Sequence, residues 1–311
     1  MAHYELKPER STLHGHFSRD LPPALMIDPG DTVQFQCIDS GWRLEPFTSP
    51  DIRPRAFAER REGELDSGHA LTGPVYIRGA KPGMTLAVRV NRLEVGGWGT
   101  TFAGGWDCEW NRRLKATTEG TVHVWTLDRV AQTARNQFGH TVSLRPFMGV
   151  YGMPPAEPGV HSTVPPRRTG GNIDCKELIV GSTLYLPIEV EGGLFSTGDG
   201  HAVQGDGEIS VTAIECPVDR VDVTFDLLDD MPLTMPVAQT PVGWLALGFD
   251  KDLDEAAALA VEGMLGIMQR IHGLARYDAL ALASLVVDLR VTQMVNEVRG
   301  VHAVLPHGVI K

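Results

Sequence analysis

Pro29-Gly30-Asp31-Thr32-Val33-Gln34-Phe35-Gln36-Cys37 joins a tight turn to a segment in which hydrophobic and polar residues alternate. Val33, Phe35 and Cys37 would share one face of a β-strand, because successive side chains of a strand point to opposite sides. A second Pro-Gly turn starts segment 82–90, where leucine and valine alternate with threonine, alanine and arginine. The two segments therefore predict half-buried strands that follow tight turns.

Similar signals recur through the first two thirds of the chain. With 34 glycines and 21 prolines in 311 residues, the sequence contains many short elements joined by tight turns. The spacing of the strands is typical of sandwiches or barrels rather than of βαβ units. Further strands are predicted at Val75–Arg78, Thr121–Thr126, Thr183–Val190, Ile209–Ile214 and Arg220–Asp226.

The composition becomes helical after about residue 250. Asp252 is followed three residues later by Glu255, as in a helix N-terminus, and apolar residues then recur at helical spacing until Gly273. A second helix is predicted from about Asp278 to Asn296. It is apolar almost all round, which predicts burial under the sheet or in a subunit interface.

These patterns predict an α+β, mainly β fold with a sandwich-like or barrel-like β body and two C-terminal helices. Residues 1–225 would form the β-rich body that carries the site motifs, and residues 226–311 a C-terminal α/β portion with both helices. The apolar second helix also predicts a homo-oligomer, a dimer or higher.

The net charge restricts the class of partner. Lysine and arginine number 28 against 39 acidic residues, a balance of −11, which argues against nucleic acid or an anionic membrane surface. A small neutral or cationic ligand fits better. The N-terminus has no apolar signal region, the apolar run at 279–287 is too short to span a bilayer, and the four cysteines form no C-x-x-C pair. We therefore expect a cytoplasmic protein with free thiols.

Two short segments, Gly170–Leu178 and Gly198–Glu208, carry the densest set of side chains that could take part in catalysis or metal binding. Six glycines lie within these segments. We interpret them as the active centre. Asp174 or Glu177, together with His201 and Asp199, would supply the oxygen and nitrogen ligands of a metal ion. The alternative is that the Gly-Asp-Gly sequences are only tight turns with solvated acids.

Other candidates surround this centre. His14-Gly15-His16 would place two imidazoles on one face of a strand, either as a metal pair or simply as part of a surface strand. His69 precedes a Gly-Pro break, where a loop would offer it to a cleft or a turn would hold it by hydrogen bonds. The glycine-rich stretch Gly96–Asp107, which contains Trp98, is predicted to form no regular element and to act as a binding lid, with a packed Ω-loop as the alternative. Arg167 or Arg168, in a proline-rich loop, would orient a carbonyl or carboxylate.

The sequence resembles the acetamidase/formamidase family of short-chain amide hydrolases. The resemblance runs through motifs that include Gly68–Tyr76, Pro165–Leu178 and Leu194–Glu208. It implies hydrolysis of formamide, acetamide or a similar small amide to the acid and ammonia, on a mainly β fold, in an oligomer. The alternatives are a non-catalytic β-sandwich that binds a small ligand, and a metal-dependent hydrolase of cyclic amides or ureas.

From residue chemistry we predict that water activated by a divalent metal or an acidic base attacks the carbonyl. Zinc is preferred over calcium for this metal. Thiol attack by Cys175 is not favoured but stays open, because neighbouring Cys, Lys and Glu on one strand cannot converge on one carbon. The predicted catalytic residues are Glu177, Asp174, His201 and Lys176, the substrate-binding residues Trp98, Arg168 and Cys175, and the metal ligands Asp174, His201 and His69.

Overall fold

A computed structural model describes residues 1–47, 53–61 and 63–311. The strands are β1 (His3–Leu6), β2 (Leu13–His14), β3 (Leu25–Ile27), β4 (Thr32–Cys37), β5 (Leu71–Ile77), β6 (Thr85–Val95), β7 (Trp98–Gly104), β8 (Gly120–Asp128), β9 (Thr133–Asn136), β10 (Thr141–Ser143), β11 (Phe147–Gly152), β12 (Gly170–Asn172), β13 (Thr183–Pro187), β14 (Phe195–His201), β15 (Glu215–Cys216), β16 (Val218–Leu228), β17 (Val237–Thr240), β18 (Gly243–Asp250), β19 (Asp288–Asn296) and β20 (Val298–Pro306). The helices are α1 (Glu109–Leu114), α2 (Leu253–His272) and α3 (Arg276–Val286), with a 3-10 turn at Glu64–Asp66.

The strands form two large sheets in the described part of the chain. The first has the order β1-β4-β16-β6-β13-β17-β18-β20-β19, and the second runs β10-β9-β8-β7-β15-β14-β11-β12 with β5 attached to β14. Apolar side chains of both sheets share one core, where Phe35 and Phe225 of the first sheet pack edge-on against Phe195 of the second. The mainly β, α+β prediction is confirmed.

Helix α2 covers the first sheet at the position that its sequence predicts. The Asp252 side chain accepts hydrogen bonds from the backbone N–H groups of residues 254 and 255, and Gly273 ends the helix with a φ of 65°. The helix lies so close to β18 that a Cβ on Gly248 would meet the Ala256 carbonyl oxygen at 2.0 Å. Both predicted ends of this helix are therefore confirmed.

The second predicted helix is shorter than expected. Helix α3 ends at Val286, and residues 288–296 form the edge strand β19, which pairs with β20. Residues 288–296 pair with β20, and this pairing satisfies their backbone hydrogen-bonding groups. The tertiary contact thus overrides the local helical propensity of the segment. Leu280 and Leu285 are not buried under the sheet, because they are 47% and 78% exposed in the single chain, and burial in a subunit interface stays a prediction.

Two other segments differ from their predicted secondary structure. The glycine-rich stretch 96–107 contains strand β7, which pairs with β8 over its whole length, so the prediction of no regular element is wrong. Gly99 is needed there because a Cβ would approach Ile214 to 2.5 Å. Conversely, the predicted strand Ile209–Ile214 is an irregular loop.

Several strand predictions are confirmed, namely those within β4, β5, β6, β8, β13 and β16. Strands β17 to β20 extend the same sheet that contains β1 and β4. A division of the chain near residue 225 stays a prediction. None of the helices in the described ranges is both long and apolar enough to cross a bilayer.

Candidate active site and metal centre

Five acidic and imidazole side chains converge where β14 meets its neighbours. Asp199 and His201 lie two residues apart on β14 and so share one face of the strand. The register pairs His201 with Glu215 of β15, and Asp174 follows β12. Glu208 comes from the loop between β14 and β15. All five are buried, which excludes the alternative of solvated acids in tight turns.

His201 is the centre of this cluster. Its Nε2 atom lies 3.4 Å from Asp199 Oδ2 and 3.2 Å from Glu215 Oε2, yet it has no hydrogen-bond partner. Two ligands held at about 2.1 Å from a tetrahedral zinc ion would be about 3.4 Å apart. The spacing of these donor atoms therefore matches that of ligands around one small cation.

Gln204 fixes the imidazole orientation. Its Nε2 donates to the backbone carbonyl of Asp174 at 2.8 Å, so its Oε1 faces His201 Nδ1 at 2.9 Å. Since an amide oxygen only accepts, Nδ1 of His201 carries a hydrogen and donates it. Nε2 is consequently the nitrogen directed at the carboxylates.

Further atoms of the cluster lack partners. Asp174 Oδ1 and Glu208 Oε2 are buried without a hydrogen bond, as is His201 Nε2. Buried polar atoms in folded proteins are normally paired, so this concentration calls for an additional species. Gly149 of β11 leaves the space for it, because a Cβ there would lie 2.5 Å from Asp199 Oδ2 and 2.6 Å from Asp174 Oδ1. The donor set fits a divalent cation.

The electrostatics agree with a cation site. Burial raises the pKa of Asp174 to about 8, and burial also raises the pKa values of Glu208 and Glu215. Burial opposes a charge on His201, but the carboxylates of Glu215 and Asp199 outweigh it and raise its pKa well above the usual value. So many acids in one buried place must hold protons or a cation to avoid mutual repulsion.

Backbone strain is concentrated at the same place. Asp174, Asp199, Glu208 and Val211 have φ values of 51°, 59°, 46° and 76°. Non-glycine residues in this region cost about 1 to 3 kcal/mol each and persist where the surroundings enforce them. Three of these four residues, Asp174, Asp199 and Glu208, carry buried carboxylates of the cluster, so the strained backbone and the cluster occupy the same part of the fold.

A cavity of about 290 Å³ opens onto the cluster. Asp199, Glu208 and Glu215 contribute carboxylates to its lining, and Phe102, Val164 and Val211 contribute apolar surface. Cavities of about 720 and 550 Å³ lie elsewhere and contain none of the cluster residues, whereas one of about 320 Å³ is lined by Glu208 but by no other cluster residue. The cavity of about 290 Å³ is lined by three of the five cluster residues, and it is therefore the candidate substrate site.

Among the predicted metal ligands, Asp174 and His201 are brought together, and their nearest carboxylate-imidazole separation is 3.9 Å. His69 lies on the cavity wall, where its Nδ1 is 2.9 Å from the hydroxyl of Thr163. The hydroxyl also accepts the backbone N–H of His69. Asn296, at the end of β19, donates a hydrogen bond to Asp174 Oδ2.

Glu177 and Lys176 are engaged away from His201. The Glu177 carboxylate pairs with Arg145 and with Arg290, the latter at 3.2 Å. Lys176 pairs with Asp206 at 2.7 Å. The structure therefore does not bring these two predicted catalytic residues into the cluster. Their ion pairs tie the segment after β12 to neighbouring elements.

The predicted substrate-binding residues do not line the cavity in the described part of the chain. Cys175 is fully buried in the shared core, and burial raises the pKa of its thiol to about 12. Trp98 lies in β7 opposite Thr126, and Arg168 pairs with Glu189 at 3.0 Å. A neutral thiol enclosed by apolar side chains is a poor nucleophile.

The His14-Gly15-His16 prediction is wrong in its geometry. Only His14 belongs to a strand, and the two side chains bind different partners. His14 contacts Ser196 Oγ at 2.9 Å, while His16 Nδ1 faces the Leu65 carbonyl oxygen at 2.6 Å. Neither imidazole belongs to a metal-ligand cluster among the described residues.

Sequence reasoning missed several residues of the site, namely Gly149, Gln204, Glu208, Glu215 and Asn296. Glu208 and Gln204 lie within the segment singled out from the sequence, but no role was assigned to them. Glu215 and Gly149 lie on separate strands with no local motif. Only strand register brings them to His201.

A family model described as Acetamidase/Formamidase matches residues 3–159 and 156–309. The chain belongs to the acetamidase/formamidase family. It is 27% identical over 276 residues to the formamidase of Methylophilus methylotrophus, covering 70% of this chain and 64% of that protein. It is 26% identical over 298 residues to the acetamidase of Mycolicibacterium smegmatis, covering 74% of this chain and 69% of that protein. The chain thus spans less than two thirds of the formamidase.

The structural comparison covers nearly the whole chain. The crystal structure of an acetamidase from Bacillus halodurans superimposes with a TM-score of 0.83 at 25% identity, covering 97% of both chains. The fold described above is therefore shared with that acetamidase. The buried cluster lies within a family fold.

Proposed function

We propose that the chain hydrolyses a small aliphatic amide of the formamide or acetamide type to the carboxylate and ammonia, with the help of a divalent cation. The observation that carries this proposal is the unpartnered Nε2 of His201 among buried carboxylates at the end of a cavity. Membership of the acetamidase/formamidase family and the names of its relatives support it.

Asp174, Asp199 and His201 would hold the cation, with Glu215 completing the set. A zinc ion, when bound, would lower the pKa of its water to about 7 and supply hydroxide at neutral pH. Zinc is preferred because an imidazole is at the centre, and calcium is the alternative because carboxylates predominate.

The other proposed groups act on the substrate and the proton. His69 on the cavity wall would donate a hydrogen bond to the amide carbonyl, because the Thr163 hydroxyl can occupy its Nδ1 and leave a hydrogen on Nε2. Glu208, a buried acid with a raised pKa that lines the cavity, would pass a proton to the departing amine.

Catalytic roles for Glu177 and Lys176 stay predictions. Their ion pairs with Arg290 and Asp206 support a positioning role instead, since they restrain the segment that carries Asp174. Substrate contacts by Trp98, Arg168 and Cys175 likewise stay predictions.

Ammonia release tests the proposal. Purified protein loaded with zinc, and separately with calcium, is incubated with formamide, acetamide, propionamide, a cyclic amide and a cyclic urea. Ammonia from the linear amides above a metal-free, chelator-treated control is the expected result. No ammonia from any linear amide, with or without ring opening of the cyclic compounds, contradicts the proposal.

A further inference from the structure

Val211 is a β-branched residue in a left-handed backbone conformation, with φ of 76°. It lies in the loop 202–214 between β14 and β15, and its side chain lines the cavity that ends at the cluster. A β-branched side chain is rarely tolerated in this conformation, whereas glycine adopts it freely. The sequence thus keeps a side chain at a position where glycine would relax the backbone.

The loop is held in this strained form from both sides. The Thr212 hydroxyl donates to the Phe102 carbonyl at 3.0 Å and accepts the Phe102 N–H at 2.9 Å. Thr101 Oγ1 donates to the Ala213 carbonyl at 2.8 Å, and Gly207 N–H donates to the Thr292 carbonyl at 2.9 Å. Because β7 and β19 fix the loop, the φ of Val211 is imposed by its surroundings.

Core packing does not explain the valine. Among the residues that the structure describes, Val211 belongs to none of the apolar clusters, and it is only half-buried. Val211 instead lines the same cavity as the carboxylate residues Asp199, Glu208 and Glu215. Its two methyl groups therefore shape the space for a ligand rather than the protein interior.

Acetamide has four heavy atoms and would fill only part of the cavity of about 290 Å³, so the shape of the cavity wall, rather than the total volume, decides which acyl groups fit beside the cluster. An amide whose carbonyl faces the cluster must direct its hydrocarbon away from the carboxylates, toward Phe102, Val164 and Val211. We propose that Val211 is a specificity-determining residue that limits the length of the acyl group. This inference rests on the proposed function.

Val211→Gly and Val211→Ala test the role. The Gly variant removes the wall and relaxes the backbone, and the Ala variant shortens the wall but keeps a Cβ at positive φ. We expect the ratio of kcat/KM for hexanamide to that for acetamide to rise about tenfold or more in both variants. The melting temperature of Val211→Gly is expected at or above that of the unaltered protein. The melting temperature of Val211→Ala is expected below that of Val211→Gly, because alanine keeps a Cβ at positive φ.

Lys115→Gly is the matched control. Lys115 also has a positive φ, 57°, but it is exposed at the end of α1 and does not line the cavity. This substitution should change the melting temperature in the same direction as Val211→Gly and leave the hexanamide to acetamide ratio unchanged. An unchanged ratio in both Val211 variants overturns the inference.

A binding measurement separates this inference from the proposed function. Acetate and hexanoate, the carboxylates that would be released, are titrated by calorimetry into the zinc-loaded unaltered protein and the Val211→Gly variant. A preference of the variant that shifts toward hexanoate by about tenfold supports the role of Val211 in limiting acyl length, even where no amide is turned over. The same preference in both proteins overturns it, whereas absent ammonia release counts only against the proposed function.

Discussion

Gln204 and His201 form a hydrogen bond of 2.9 Å that decides which imidazole nitrogen faces the carboxylates. Replacing Gln204 with Leu removes the acceptor and the donor to the Asp174 carbonyl, whereas Gln204→Glu keeps an acceptor for Nδ1. Loss of such a supporting bond weakens metal binding about 10- to 100-fold. We expect this loss for Gln204→Leu and a much smaller one for Gln204→Glu. Competition with a chromogenic chelator measures it, and equal zinc affinity in the Leu variant would contradict the role.

Gly149→Ala tests whether the space between Asp174 and Asp199 is the cation position. The added Cβ would come within 2.6 Å of an oxygen of each carboxylate, so the variant should lose bound metal while its sheet still forms. Metal analysis after dialysis and a thermal melt are the measurements. Gly97→Ala is the control, because a Cβ there meets nothing within 4 Å. A full equivalent of metal in Gly149→Ala would count against this position.

His201→Ala and Cys175→Ala separate metal-assisted attack by water from thiol attack. His201→Ala should lose both zinc and ammonia release, because the central ligand is gone. Cys175→Ala should keep its activity and lose only about 1 kcal/mol of stability, since the thiol is buried core. Kinetics and metal content of both variants provide the answer. An active, metal-free His201→Ala protein beside an inactive Cys175→Ala protein would establish the thiol mechanism instead.

The burial of His14 should make the folded protein less stable in acid. Burial lowers the pKa of His14 to about 4 from 6.5, so between these pH values the unfolded chain binds a proton that the folded chain does not. Stability rises with pH wherever the unfolded state binds more protons, and falls here as pH drops from 6.5 toward 4. A shift of this size corresponds to about 3 kcal/mol.

The test for His14 compares the unaltered protein with His14→Gln by urea unfolding at pH 7 and at pH 4.5. Glutamine offers a donor and an acceptor for the His16 carbonyl and Ser196, but it does not titrate. We expect a smaller decrease in the free energy of unfolding on acidification for the variant. Equal decreases would show that His14 is not responsible.

A second copy of the chain is proposed to cover the C-terminal helix α3. Tyr277, Leu280 and Leu285 are 83%, 47% and 78% exposed on this helix, a costly amount of apolar surface for one short element. Sedimentation should give a mass above the 33.9 kDa of one chain, and Leu285→Glu should lower it. Val130→Glu, at a 97% exposed turn residue, should not. A monomer in every case would contradict the proposal.

The sequence by itself determined the β-rich body, the start and end of α2, and the two segments that carry Asp174, Asp199 and His201. These features depend on alternation, capping and short motifs, which are local along the chain. The family resemblance had the same local basis and is confirmed by the comparisons. For β7, pairing across the sheet overrode the local glycine signal.

Only the tertiary structure decided how the site is assembled. Strand register sets His201 opposite Glu215 on one side and Phe147 on the other, and it sets Gly149 beneath the carboxylates. Register depends on contacts between residues far apart in sequence, so no local pattern reveals it. The positive φ values of Asp174 and Val211 likewise arise because neighbouring strands fix both ends of each loop. The chemical character of the site's side chains could therefore be predicted from the sequence. Their convergence on one place depended on how the sheets fold.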